Sequence, residues 1–516
     1  MDTKALRQKI LDIAIRGKLV PQDPNDEPAS VLLERIRAEK QQMVKDGKLK
    51  AKDIKNDSVI FIGDDNCAYE KFPDGTVKCI QDEVPFELPE GWEWTRLGSL
   101  CFGIVAGKSI QCIERTPNNE ELGIVKVSSV SWGIFQENES KTCIGDSCYK
   151  KDYIIRENDF LISRSNTTEL VGSCVIVETI NKKLMLSDKI LRILFSKNVL
   201  NMYILIAMRS SICRNQIESK ATGTSASMKN ISQDAIKNIL IPLPSSQEQY
   251  RIAAKYNELL NLIDTIESDK TDLQSAIQLT KSKILDLAIR GQLVPQDPTD
   301  EPASVLLDRI RAEKEELIKQ GKIKRDKKES VIFRGDDNSY YEKVGDIVTC
   351  IDEELPFELP DGWSVARLKD ICNMSAGKSL AKDQIKSIPF DGCYPCYGGN
   401  GRRGYVDTYN YDGKYGIIGR QGALCGNVNI ADGKFYATEH AVVVTLYTGI
   451  DFLWSVYAMI ALNLNQYATG AAQPGLSVAN IMNVLVVVPP ANEQMRISET
   501  IKRYSRILED IEKSLS

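Results

Sequence analysis

The strongest constraint on this chain is that it contains itself twice. The segment from Lys9 to Leu33, which reads Lys-Ile-Leu-Asp-Ile-Ala-Ile-Arg-Gly-Lys-Leu-Val-Pro-Gln-Asp-Pro-Asn-Asp-Glu-Pro-Ala-Ser-Val-Leu-Leu, recurs almost letter for letter from Lys283 to Leu307. Ile10 and Ile284 are thus 274 positions apart. The copy continues: Arg35 to Lys40 returns as Arg309 to Lys314, Gly63 to Asn66 as Gly335 to Asn338, Pro85 to Trp92 as Pro356 to Trp363, and Ala106-Gly-Lys-Ser109 as Ala376 to Ser379. Similarity then fades for about a hundred residues and resumes at another offset. Pro244, Glu248-Gln249 and Arg251-Ile252 match Pro489, Glu493-Gln494 and Arg496-Ile497, each 245 positions on. The chain is thus built from two copies of one unit. Each half is a shared frame around a divergent insert, roughly residues 110 to 220 and 380 to 467, which suits two related modules with different ligands.

The frame includes a helix. Ile252, Tyr256, Leu259, Ile263, Ile266, Lys270, Leu273, Ile277, Thr280, Ile284 and Leu287 recur alternately four and three residues apart, an a/d seam with two polar interruptions. The repeat offsets carry this seam to Thr3, Leu6, Ile10 and Ile13 at one terminus and to Ile497, Ile501, Tyr504, Leu508, Ile511 and Leu515 at the other. The termini therefore supply in two pieces the helix that the middle supplies in one. The expectation is that the ends meet, that the split helix packs antiparallel on the central one, and that a two-fold axis runs through the pair. About 35 residues of helix span on the order of 50 Å, the length of roughly 15 base pairs of DNA. The predicted fold is α+β: two mixed recognition domains separated by an antiparallel coiled coil. The predicted segments are 1–84 (split helix, proline elbow and charged connector), 85–244 (first domain), 245–290 (central helix), 291–355 (second elbow and connector), 356–489 (second domain) and 490–516 (remainder of the split helix).

Pro21, Pro24 and Pro28, echoed by Pro295, Pro298 and Pro302, predict a rigid elbow after each seam helix. The charged stretches Glu34 to Lys55 and Asp308 to Lys328 are expected to be solvated helices. Within the inserts, Phe160–Ser163, Cys174–Val177 and Ala441–Val444 are expected strands, and Asn201–Ser210 and Leu453–Leu462 expected helices.

Composition narrows the chemistry. Of 516 residues 42% are hydrophobic and the net charge is −5, which excludes a disordered tail. No run reaches the ~20 apolar residues of a spanning helix, and the N-terminal stretch lacks a signal core; a cytoplasmic chain is expected. Thirteen cysteines then read as reduced thiols. Cys393 and Cys396 have ligand spacing, but no second such pair follows, so no metal is expected. One histidine, His440, leaves little room for histidine-based catalysis.

Charge is uneven. Lys141 to Leu240 holds 15 Lys plus Arg against 9 Asp plus Glu, and Ala366 to Arg420 holds 9 against 5. Local positive charge in an acidic chain suits phosphate contact. Arginine, asparagine and glutamine beside glycine, as in Gly398-Gly-Asn-Gly-Arg-Arg-Gly404 and Gly419-Arg-Gln-Gly422, and the polar run Ser163-Arg-Ser-Asn166, are the residue types that read base edges. The candidate DNA contacts are Lys108, Arg164, Ser165, Asn166 and Lys229 in the first half, and Lys378, Asn400, Arg402, Arg403, Arg420 and Gln421 in the second. Catalytic motifs are missing. Ala-Gly-Lys-Ser lacks the earlier glycine of a phosphate loop, since Phe102 and Cys372 occupy that place; neither an Asn-Pro-Pro-aromatic nor an Asp-Pro-Pro-Tyr motif occurs; and Glu139-Ser-Lys141 has no Pro-Asp at nuclease distance. The residues alone leave a DNA reader, a coiled-coil adaptor displaying two protein-binding domains, and a self-contained enzyme to be separated, with the last disfavoured.

The ordered set of motifs, Pro-Phe-Glu-Leu-Pro-x-Gly-Trp, Ala-Gly-Lys-Ser, Pro-Leu-Pro…Glu-Gln…Arg-Ile (Pro-Pro in the second copy) and a following helix, all present twice, resembles the specificity subunits of type I restriction-modification systems over essentially the whole chain. That resemblance implies two target-recognition domains reading the halves of a bipartite asymmetric DNA site. It also implies a non-catalytic role, with two modification subunits docked on the helices and flanks. S-adenosylmethionine and adenine N6 methylation would belong to those subunits, and ATP, Mg and cleavage to restriction subunits. Gly419-Arg-Gln-Gly422 matches a recurrent recognition-domain pattern, and Phe160-Leu-Ile-Ser-Arg164 resembles its counterpart. The first insert lacks the glycine after arginine, which leaves its contact geometry open.

Overall fold

The computed structural model describes residues 2–515 except 132, 146–148, 226–227, 327–328, 356, 423 and 470–474. Pro356, where the second domain was expected to begin, and the terminal residues Met1 and Ser516 lie outside the described residues. The chain divides into two compact units, Met1–Asp269 and Lys270–Ser516, and the division falls within one continuous helix, Ser246–Ile289.

In the first unit, Asp2 caps the helix Thr3–Ala14 by accepting from Ala5 N at 3.0 Å. This helix runs antiparallel to the first half of the central helix. Thr3 and Arg7 hold Glu267, and Arg7 also reaches Asp264 at 2.5 Å. In the second unit, Glu512 of the helix Ala491–Leu515 accepts from Gln278 at 3.0 Å and from Lys281 at 2.8 Å, while Ile497 and Ile501 pack in the core with Ala288.

The expected seam holds nearest the globular bodies. Ile10, Ile252, Tyr256, Ile263, Ile277 and Ile497 are buried, and Leu6, Ile13, Leu259, Ile284, Leu287 and Leu508 are half-buried. Ile266, Leu273, Tyr504 and Ile511, by contrast, are exposed. Lys270 and Leu508 keep their seam places, half-buried, but beside the exposed positions it is Glu267, Ser505 and Glu512 that are half-buried instead. A straight helix repeats every 3.6 residues, not 3.5, so a contact line drifts by about 20° per heptad.

The charged connectors are shorter helices than expected and not wholly solvated. They span Ala29–Lys45 and Ala303–Lys319 and end where Gly47 and Gly321 take positive φ of 71° and 70°. Lys40 is buried, its ammonium bound to Asp57 and to Gly98 O, both at 2.8 Å.

Each recognition domain is opened and closed by one strand pair. Glu93–Arg96 lies antiparallel to Leu240–Leu243, and Ser364–Arg367 to Leu485–Val488. Between them each insert builds two four-stranded sheets. In the first unit one sheet has the order Cys174–Ile176, Phe160–Ser163, Ile190–Phe195, Cys101–Ala106; in the second, the same order recurs as Val428–Ala431, Tyr415–Gly419, Ala441–Leu446, Cys372–Ala376. The expected helices form at Asn201–Arg209 and Phe452–Ala461.

The repeated motifs are the fastenings of this frame. The Trp92 indole donates to Glu248 at 2.9 Å and Trp363 to Glu493 at 3.0 Å. Arg251 pairs with Asp26, and Arg496 with Asp300, each at 2.5 Å. Gln249 accepts from Leu200 N and donates to Pro244 O; Gln494 does the same with Asp451 N and Pro489 O. Gly91 O and Gly362 O accept from Ala29 N and Ala303 N, the first residues of the connector helices. Gly17 and Gly291 leave room for a proline: a Cβ would stand 2.6 Å from Pro89 and 2.5 Å from Pro360.

Burial pushes the Glu248 and Glu493 carboxyls up, against the lowering effect of the indole N–H. One oxygen of each, Oε1, is buried without a partner among the described residues. A carboxyl raised on folding favours the fold when neutral, so its contribution is complete below the unfolded pKa and lost as pH rises through the folded one. Glu248→Gln keeps an acceptor for Trp92 and removes the ionisation. Its melting temperature at pH 7 to 8 is expected to equal or exceed the wild type's by a few degrees, with a weaker gain on acidification toward pH 5; a Tm that drops at every pH would contradict this.

Candidate nucleic-acid interface

In the second unit four of the six candidate residues, Asn400, Arg402, Arg403 and Gln421, converge on one cleft. The strand Tyr415–Gly419 ends in a turn where Arg420 N donates to His440 O at 3.0 Å and Arg420 O accepts from Leu476 N at 2.9 Å. Gly419 is forced by space: a Cβ there would stand 1.9 Å from Gly399 O. The turn therefore presses against the loop joining strands Tyr394–Gly398 and Gly401–Val406. Asn400, Arg402, Arg403, Gln421, Gly422 and His440 line the resulting open cleft of about 410 Å³. Arg402 and Arg403 are exposed, and neither guanidinium has a hydrogen bond or ion pair among the described residues. Arg402 lies 5.4 Å over the Tyr405 ring, a cation–π contact that steadies it at little cost.

Arg420 is placed differently. Its guanidinium donates to Leu476 O at 3.3 Å and Glu439 O at 3.4 Å, so it ties the turn to two neighbouring loops. Lys378 is exposed beside the same loop: its N–H donates to Ala437 O at 3.0 Å, and it bridges Thr438. Sequence reasoning did not single out the loop 438–440 as part of the site. Thr438 Oγ1, Glu439 Oε2, His440 Nδ1 and the adjoining Asn429 Nδ2 are buried without partners among the described residues, polar groups that are costly to leave unmatched. Only His440 was conspicuous, and only by its rarity.

The first unit repeats the turn through its backbone. Ser163 N donates to Ser173 O and Gly172 N to Ser163 O, as Gly419 N does to Asn427 O and Gly426 N to Gly419 O. Arg164 N donates to Lys189 O and Ile231 N to Arg164 O, matching Arg420 with His440 and Leu476. Arg164 and Arg420 are thus structural counterparts. Arg164 is exposed, with no side-chain partner among the described residues.

Its neighbours are more committed. Ser165 and Asn166 pair in register with Asn230 and Lys229. Ser165 Oγ donates to Asn230 Oδ1, the Asn166 amide donates to Ser131 Oγ at 3.0 Å, and Lys229 Nζ donates to Gly223 O at 2.7 Å. Lys108 is exposed beyond Gly107, whose Cβ would stand 2.0 Å from Leu186 O; Gly377 has the same relation to Ala437 O at 2.2 Å. The glycine of Ala-Gly-Lys-Ser thus serves a close passage of two backbones.

Around Cys393 and Cys396 the contacts are internal: Cys393 Sγ accepts from Phe390 N at 3.3 Å, and Cys396 is buried, its thiol pushed up to about 11 by burial. Among the described residues no helix is long and apolar enough to cross a membrane.

A duplicated frame that holds two unlike inserts, each with arginine at the same turn, defines a two-module recognition protein. Residues 89–275 and 360–516 match the family model described as the type I restriction modification DNA specificity domain, and the chain belongs to that family. It is 31% identical over 428 residues to the specificity subunit of the type I restriction enzyme EcoAI of Escherichia coli, a match covering 75% of this chain and 65% of that protein. The EcoEI specificity subunit of Escherichia coli is 35% identical over 276 residues, 53% of this chain and 42% of that one. The chain thus spans less than two thirds of these curated relatives. Among solved structures it resembles in fold the HsdS subunit from Thermoanaerobacter tengcongensis, with TM-score 0.50, 17% identity, and coverage of 84% and 93%. A structure concerned with complex assembly of the type I restriction-modification system gives TM-score 0.54 at 16% identity, with coverage of 84% and 94%.

Proposed function

We propose that this chain is the non-catalytic specificity subunit of a type I restriction-modification complex, each unit reading one half of a bipartite, asymmetric site in double-stranded DNA. One observation carries the reading. The same turn presents Arg164 in one insert and Arg420 in the other, on frames whose fastenings are identical and whose surrounding loops are not. Independent half-site readers require that combination. In the second unit Asn400, Arg402, Arg403 and Gln421 face one cleft and carry the side chains that pair with adenine and guanine edges. In the first, Arg164 and Lys108 offer uncommitted donors.

The helices and their flanks would dock two modification subunits, which would bind S-adenosylmethionine and methylate adenine N6; restriction subunits would supply ATP- and Mg-dependent translocation and cleavage, in the cytoplasm where the DNA lies. Methylome sequencing of cells with and without the chain is the test: one bipartite adenine-methylated motif should vanish with the chain. An unchanged methylome, together with salt-insensitive failure to bind any duplex in the presence of modification subunits, would favour the protein-binding adaptor instead.

A further inference from the structure

Between each connector helix and its recognition domain lies a small three-stranded sheet: Val59–Ile62, Ala68–Lys71 and Val77–Cys79 in the first unit, Ser330–Arg334, Tyr340–Val344 and Ile347–Cys350 in the second. One face of the first sheet is internal. Ile60 and Ala68 pack with Trp94 and Leu240, and buried Glu70 binds Arg96 at 2.8 Å. The other face is open. Register places Val59 opposite Lys71, Phe61 opposite Tyr69, Tyr69 opposite Cys79 and Lys71 opposite Val77. In the second unit the same positions are Val331 opposite Lys343, Phe333 opposite Tyr341, Tyr341 opposite Cys350 and Lys343 opposite Val348.

All six residue types are the same. Even their exposures agree: 40%, 40% and 50% for Val59, Phe61 and Val77, against 37%, 41% and 50% for Val331, Phe333 and Val348. The aromatic pairs stack alike, with centroids 5.9 Å apart in both units, and each tyrosine is anchored by a 2.7 Å bond to Asp65 or Asp337.

This identity runs against what folding alone would preserve. On the inner face Ile60 and Glu70 return as Ile332 and Glu342, but Ile62 has become Arg334, Ala68 Tyr340 and Lys78 Thr349, and the following turn has changed from Phe-Pro-Asp-Gly to Val-Gly-Asp. Solvated apolar side chains contribute little to stability and are free to drift. Here all six are kept where the inner face keeps two of five, so something covers both copies and makes the same contacts on each. An exposed valine, phenylalanine and tyrosine platform suits a protein surface. Its charge specifies more: Lys71 and Lys343 have no carboxylate partner among the described residues. In the first unit a cavity of about 990 Å³ beside the face has an apolar floor that includes Val59, Phe61 and Phe72 and a rim on which Arg37, Lys55 and Lys71 outnumber the one exposed carboxylate, Asp74; Asp57 is bound to Lys40. The complementary segment is apolar and carries carboxylates. A stable interface takes about 800 Å² per side, so the sheet is the centre of a contact whose margin is the adjoining connector helix.

We propose that these two sheet faces are twin docking sites for one partner protein taken up in two copies, through an acidic, apolar segment. The inference rests on the function proposed above, in which the duplicated partner is the modification subunit. Lys71→Glu and Lys343→Glu test it, since both side chains are exposed and bear no load in the fold. With the modification subunit in excess, native mass spectrometry of the full chain is expected to show two copies on the wild type, one on either single variant and none on the double variant, all with unchanged Tm. Phe61→Ser with Phe333→Ser should reproduce the double loss without a charge change. Two copies retained on both double variants would overturn the docking sites alone, and so would a dimer of the chain itself that these substitutions abolish. No copies on the wild type would instead overturn the reading on which the sites rest.

Discussion

Arg402→Ala combined with Arg403→Ala will weaken binding to one half of the DNA site by roughly 100-fold or more, because a good arginine–guanine pair contributes about 1–3 kcal/mol and 1.4 kcal/mol is a tenfold change. The fold should be indifferent. Neither guanidinium has a hydrogen bond or ion pair among the described residues, and both line the cleft with Gln421 and His440. The measurement is fluorescence anisotropy of the assembled complex on duplexes with either half scrambled. The double variant should lose its preference for the half read by the second unit and keep the other; equal loss on both halves would contradict the assignment. Arg420, the residue that sequence makes most prominent, is a poorer probe. Its guanidinium holds Leu476 O and Glu439 O, so removing it disturbs the turn together with any contact.

Gly419→Ala will disrupt the second recognition domain itself. A Cβ at this position meets Gly399 O at 1.9 Å, and a backbone oxygen cannot swing aside as a side chain can. Overpacking costs typically 1–3 kcal/mol and more where backbone must move, so a loss of about 3 kcal/mol is expected in urea unfolding, with reading of that half-site abolished. Gly107→Ala should act likewise on the first domain, where Leu186 O lies 2.0 Å from the added carbon. Unchanged midpoints would mean that the strands have room to part. Gly422, after the arginine, answers a different need: its surroundings are open, and its positive φ of 88° is what favours glycine there.

Much of this architecture is legible in the sequence because duplication makes function-neutral drift visible. Trp92, Glu248, Gln249 and Arg251 stand out as repeated, and the structure joins each to a partner within its own unit, two of them across the whole insert or the elbow. Burial was harder to read. The heptad pattern places Ile266, Leu273, Tyr504 and Ile511 on the seam, whereas the 3.6-residue turn carries the contact toward Glu267, Ser505 and Glu512. A lysine in a charged run gives no sign of being buried, yet Lys40 is, because Gly98 O and Asp57 meet its ammonium. Within the inserts, residue type suggested Arg164, Arg402 and Arg403 but could not separate them from Asn166 and Lys229, whose polar groups are committed to Ser131 and Gly223. That distinction depends on long-range pairing, which local pattern does not encode.

The strand pairs that fasten each insert carry a last consequence. Glu93–Arg96 and Leu240–Leu243 lie side by side, as do Ser364–Arg367 and Leu485–Val488, so a recognition domain leaves the frame and returns to it through neighbouring strands about 4.8 Å apart. The frame requires of its cargo two antiparallel ends and a few inner contacts, among them the backbone N–H groups of Leu200 and Asp451 that meet Gln249 and Gln494. A domain of another length therefore fits the same borders provided that it brings two such end strands and a backbone N–H to each glutamine. The two halves of this chain, alike at their borders and unlike between them, show one frame holding two such domains.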